Sequence, residues 1–103
     1  MVKARDYKEH LLEQLQKPKE AAAYLNAALQ MQDPHVFLLA LRDITEAKGG
    51  MTWLAEEADL NRENLYRTLS VKGNPRFFNL LAVLDAFGLD LSITANPKRV
   101  RAS

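Results

Sequence analysis

Two arginines, a glutamate, an asparagine and a tyrosine crowd into Arg62-Glu63-Asn64-Leu65-Tyr66-Arg67. Arginine donates two parallel hydrogen bonds to guanine and pairs ionically with phosphate, so the run suits nucleic-acid recognition rather than bond-making. Leu65 and Leu69 lie four apart, which on a helix fixes a single inward face. Arg62, Glu63, Tyr66, Arg67 and Ser70 are then left outward.

The residues before this run supply its support. Thr52-Trp-Leu-Ala-Glu-Glu-Ala58 reads as a two-turn helix, Asp59-Leu60-Asn61 as a three-residue turn, and Arg62–Leu69 as a second helix. Ala55 is small where the two helices cross, Leu60 plugs the corner, and Leu54 and Ala58 meet Leu65 and Leu69. Asn61 is placed to accept a hydrogen bond from an orphan N–H at the second helix's start. Lys72 and Arg76 bracket a Gly73-Asn74-Pro75 turn and lead into another helix N-terminus, where backbone N–H groups favour a phosphate. This is a helix-turn-helix pattern, which brings the start of its second helix to base edges in a major groove. The candidate DNA surface comprises Thr52, Asn61, Arg62, Glu63, Asn64, Tyr66, Arg67, Ser70, Lys72, Asn74 and Arg76.

No comparable constellation serves catalysis. His10 and His35 have no partners at ligand or triad spacing, and the pairs Glu9/Glu13 and Asp43/Glu46 read as solvated helix faces. Gly49-Gly50 precedes no phosphate-loop pattern. Without cysteine there is no thiolate metal site and no thiol nucleophile. The expectation is a protein that is not an enzyme, with no metal and no cofactor.

The elements that must position the surface are helical in period. Tyr7, Leu11, Leu12 and Leu15 recur as one face of a short amphipathic helix. Pro18 suits the first turn of a helix through Gln30, with Ala22, Leu25, Ala28 and Leu29 together. Asp33-Pro34 is a cap followed by proline at the first helical position, and Gly49 ends that helix. It points Phe37, Leu38, Leu41 and Ile44 inward. The all-apolar stretch Val36–Leu41 predicts a central helix with both flanks covered. Over about Arg76–Phe87 the strongest periodicity joins Phe77, Leu80, Leu81, Leu84 and Phe87. Trp53 reads as core edge rather than a stacking platform. After Gly88 the period becomes two: Leu89, Leu91, Ile93 and Ala95 alternate with Asp90, Ser92 and Thr94, as in a half-buried strand. A lone strand leaves its backbone groups unpaired, which the same strand of a second copy would satisfy across a two-fold axis. Otherwise the segment packs extended against a helix. The expected fold is all-α, five to six short helices plus one C-terminal β-strand. Residues 1–17 are an N-terminal extension, 18–95 the DNA-binding domain with its dimerisation strand (Leu89, Leu91, Ile93), and 96–103 a basic tail.

With 103 residues, 48% of them hydrophobic and 26% charged, the chain has the composition of an ordinary globular domain. Its longest apolar run, six residues, is far short of the ~20 needed to span a bilayer. A charged N-terminus lacks the apolar core of a signal peptide, so a cytoplasmic location is expected. Net charge is only +1, but residues 1–60 carry seven basic and ten acidic side chains, and residues 61–103 seven and three. That asymmetry points the C-terminal part toward an anionic partner, although a chain this short can reach it by chance.

Several phrases together carry a resemblance: Tyr24-Leu-Asn-Ala-Ala-Leu29, Asp33-Pro, Phe37-Leu-Leu-Ala-Leu-Arg-Asp43, Gly49-Gly-Met-Thr, Leu54-Ala-Glu-Glu57, Leu65-Tyr66 and Gly73-Asn-Pro-Arg-Phe77. Over roughly residues 18–95 the chain resembles addiction-module antidote proteins, HigA-like antitoxins with a phage-repressor (Xre) type helix-turn-helix. The resemblance implies a homodimer that binds a palindrome in its own promoter and neutralises a small toxin of the RelE/ParE superfamily. It places Asn61, Arg62, Glu63, Tyr66 and Arg67 on the reading positions. Phage repressors carry glutamine where Met51 stands and glycine where Asp59 stands; aspartate tolerates the left-handed conformation that turn needs. The acidic N-terminal part could meet a basic toxin by charge complementarity. A stand-alone repressor without a toxin, or a module that sequesters a partner without binding DNA, would share much of this pattern.

Overall fold

A computed structural model describes residues 4–70, 72 and 74–99. Met1 to Lys3, Val71, Gly73 and Val100 to Ser103 lie outside them, so the expected turn at 73–75 and the basic tail are described only in part. The described chain is six helices: α1 (Ala4–Leu15), α2 (Pro18–Gln30), α3 (Pro34–Lys48), α4 (Met51–Ala58), α5 (Arg62–Thr68) and α6 (Phe77–Ala86). None is long and apolar enough to cross a membrane.

Local chemistry sets the boundaries. Pro18 occupies the first turn of α2, and α3 opens on Asp33, whose carboxylate accepts from the His35 N–H at 2.9 Å. Gly49 closes α3 at φ +132°, and a Cβ there would stand 3.1 Å from that of Trp53. Glycine is therefore required at that corner both by conformation and by space.

Around α3 the core assembles from Leu38, Leu41 and Ile44, with Leu15 from α1, Ala21, Leu25 and Ala28 from α2, and Leu54 from α4. α3 touches α1, α2 and α4. Tyr24 donates from its hydroxyl to Asp43 Oδ2 at 2.7 Å, tying α2 to α3. Burial first, then the hydrogen bond and the charge of Asp43, push the phenol up to about 12. Lys8 pairs with Glu46 at 3.2 Å, and Gln16 Nε2 donates to the Ala47 carbonyl at 3.2 Å, so α1 is fastened to α3.

The inward faces differ from the periodicity in three helices. On α1 burial begins at Leu11, and Tyr7 is exposed because residues 4–10 find no core beneath them. On α2 the buried line is Ala21, Leu25 and Ala28, with alanines at the closest approach, which turns Leu29 out. On α6 the buried residues are Val83 and Leu84, joined by Phe87 just beyond the helix. Phe77 is exposed and meets Phe78 edge-to-face at 5.4 Å. The reason is that α6 packs on α4 through its C-terminal half, where Phe87 stacks on Trp53 with centroids 6.3 Å apart. Trp53 is thus half-buried at the core's edge, as expected. α3 also keeps one open flank, since Leu39 is half exposed.

The expected C-terminal strand is absent among the described residues. A strand exists by its ladder, and every longer described segment has already spent its backbone groups within helices. The Leu89 N–H instead folds back on the Leu84 carbonyl at 2.9 Å, after which the chain runs without regular structure to a turn at Asn96–Arg99. Leu89 and Leu91 border a groove of about 310 Å³ shared with Leu25, Leu29 and Phe37. Ile93, at 93% exposure, stands clear of any neighbour.

Candidate nucleic-acid interface

The surface is built on two short helices and the corner between them. Leu54 from α4, Leu65 from α5 and Leu69 just past its end are fully or almost fully buried, and Leu60 is half-buried against the same cluster. α4 stops at Asp59, which takes the left-handed conformation (φ +54°), and the next N–H, of Leu60, returns to the Ala55 carbonyl at 3.3 Å. Asn61 then caps α5, its side-chain oxygen accepting from the Asn64 N–H at 2.7 Å. The Thr68 hydroxyl, buried, donates to the Asn64 carbonyl at 2.7 Å. A helix, a three-residue turn and a second helix are therefore fixed by both apolar and polar ties.

Asn61→Ala should cost about 1 kcal/mol, the usual worth of an N-cap, since this side chain accepts from an orphan N–H of the first turn of α5. A lower urea midpoint with an unchanged slope would be the signature. An unchanged midpoint would mean water replaces the cap without loss.

With Leu65 and Leu69 inward, Asn61, Arg62, Glu63, Tyr66 and Arg67 are exposed, as are Thr52, Lys72, Asn74 and Arg76; Asn64 and Ser70 are half-buried. The two arginines have different surroundings. Arg62 Nη2 donates to the hydroxyl of Thr52, back across the turn on α4. Arg67 Nη2 instead pairs with Glu63 Oε1 at 2.6 Å, one helical turn earlier. Arg67 also borders a polar cleft of about 350 Å³ with Asn64, Thr68, Asn74, Pro75, Arg76 and Asn79. That cleft opens at the start of α6, where Arg76 occupies the cap position without bonding the first-turn N–H groups through its side chain. The backbone N–H of Lys72 donates to Ser70 Oγ at 3.3 Å, just beyond α5.

Most of the candidate residues thus gather on α5 and its two flanks. Leu89, Leu91 and Ile93 do not join them: Leu89 and Leu91 border the groove beside α2, and Ile93 stands in solvent. The sequence reading missed Thr68 and Asn79 as cleft residues. Asn79 lies three positions after Arg76 on one helix face, a spacing that could have revealed it. His10 and His35 are both exposed, and among the described residues no three metal-binding side chains converge.

Comparison with known proteins gives two matches. Residues 7–95 match a family described as "Probable addiction module antidote protein". An uncharacterized protein of Haemophilus influenzae is 36% identical over 88 residues, covering 85% of this chain and 86% of that protein. No solved structure matches.

Proposed function

The chain belongs to the family of probable addiction module antidote proteins, and on that premise we propose that it is an antitoxin that represses its own promoter. Its partners in this reading are a small cognate toxin of the RelE/ParE superfamily (HigB-like) and a palindromic DNA operator, bound by a homodimer. DNA enters through the α4–turn–α5 unit, a phage-repressor type helix-turn-helix. The observation that carries the reading is the exposed face of α5, where Arg62 and Arg67 both reach solvent and Arg67 borders a cleft shared with Arg76. Arg62 and Tyr66 meet base edges, and Lys72 and Arg76 hold phosphates on the flank. The segment carrying Leu89, Leu91 and Ile93 serves as the contact between copies: Leu91 and Ile93 are exposed apolar residues with unpaired backbone around them.

Fluorescence-anisotropy titration on the protein's own upstream DNA and on a scrambled duplex, at two salt concentrations, tests the reading. Tighter binding upstream that weakens steeply with salt is expected. Arg62→Ala should then lose about 1–3 kcal/mol on the upstream duplex if Arg62 contacts a base. Wild-type affinity in that variant would remove Arg62 from the reading surface. Weak and equal binding to both duplexes would favour a module that only sequesters its partner.

A further inference from the structure

We propose that Glu63 is a specificity-determining residue that acts through Arg67, withdrawing this arginine from the DNA backbone while leaving it free to read guanine. The inference rests on the DNA-binding reading above. It starts from the unequal partners of the two arginines. Thr52 offers Arg62 a neutral hydroxyl, so Arg62 keeps its full positive charge. Glu63 offers Arg67 a carboxylate at 2.6 Å, so the pair has no net charge. The order, glutamate four residues before arginine, is the favourable one on a helix. Such an exposed pair adds little to folding. Its consequence lies in what Arg67 can do.

Phosphate attracts a guanidinium through charge, and a carboxylate beside that guanidinium repels the same phosphate. Guanine O6 and N7 are neutral acceptors that need only a fork of N–H donors in the right plane. Arginine has five donors, of which Glu63 engages one, so a fork remains. The carboxylate also restrains the long side chain, and its second oxygen is free to accept from a cytosine amino group. Like charge placed against the wrong partner is a common route to discrimination. Among the described residues Lys72 and Arg76 make no ion pair, so backbone contacts remain available to them. The division of labour follows: Lys72 and Arg76 for phosphate, the Glu63–Arg67 pair for base edges.

Glu63→Gln, Arg67→Ala and the double variant provide the test, each titrated on upstream and scrambled duplexes across a salt series. Glutamine preserves helix propensity, and far-UV circular dichroism checks that the fold is kept. Glu63→Gln should bind scrambled DNA several-fold tighter, with a log–log salt slope steeper by about 0.9 per protomer, the value of one added phosphate contact. The upstream preference should fall accordingly. With Arg67 already alanine, the same change should leave scrambled binding within about twofold, as expected for uncoupled sites. An equal steepening in the Arg67→Ala background would reduce Glu63 to one negative charge among others and overturn the proposal. An unaltered preference in Glu63→Gln would overturn it too. A wild-type protein that binds neither duplex would remove the underlying DNA-binding reading and this inference with it.

Discussion

Phe87→Ala should lower the stability of the chain by about 3–5 kcal/mol, the usual cost of emptying a buried aromatic site. Phe87 is 1% exposed and stacks almost parallel on Trp53, with an interplanar angle of 7°. Its N–H closes α6 on the Val83 and Leu84 carbonyls, so both its backbone and its ring sit at the joint of α4 and α6. The N-terminal half of α6 leaves Phe77 and Phe78 in solvent, so the contact between α4 and α6 leans on Phe87. Against a total of about 5–15 kcal/mol for a domain of this kind, the loss brings the variant near its unfolding threshold. Trp53 is the sole tryptophan, which makes the experiment direct. Its emission should shift to the red in the folded variant, and the urea midpoint should fall steeply. A cost below about 1 kcal/mol would mean that the joint collapses onto the vacated volume, the relaxation that makes such costs variable.

The parts of this fold that were legible in the sequence are those written in single-residue chemistry. Pro18, Asp33-Pro34 and Gly49 mark helix ends because a fixed φ, a capping carboxylate and a missing Cβ act on the backbone next to them. Asp59 and Asn61 were legible for the same reason, and each adopts the conformation or bond its type suggested. Periodicity was a weaker guide. It identifies a face but not how much of that face meets another helix, which is why Tyr7, Leu29 and Phe77 point to solvent while Ala21 and Val83 are buried. The alternation from Leu89 to Ala95 was misleading in a further way. Period two describes side chains, whereas a strand depends on partners that one chain does not provide. On α5 the outward residues followed from Leu65 and Leu69. Their partners did not: the Thr52–Arg62 bond joins positions ten apart and depends on how the corner at Asp59 folds.

That corner carries the second large effect. Leu65→Ala should cost about 2–5 kcal/mol, and the loss should concentrate on α5. A helix of seven residues does not stand alone in water, since nucleation is unfavourable and there are too few bonds to offset it. Its principal helix neighbour is α4, so α5 is held by Leu65, Leu69 and Thr68 from within and by Asn61 at its start. Leu65 is wholly buried, and its carbonyl accepts from the Leu69 N–H at 2.9 Å. Removing its side chain should therefore loosen the helix before the core around α3 gives way. Amide exchange separates this from general destabilisation. The Leu69 N–H should lose protection at denaturant concentrations where the Leu41 and Ile44 amides keep theirs, the mark of a local opening. Leu65→Met, close in volume, should cost less than about 1.5 kcal/mol and preserve the difference between the two regions. Uniform loss of protection across α3 and α5 would instead make the six helices one cooperative unit. In that case the outward face of α5 could not be weakened without weakening the whole molecule.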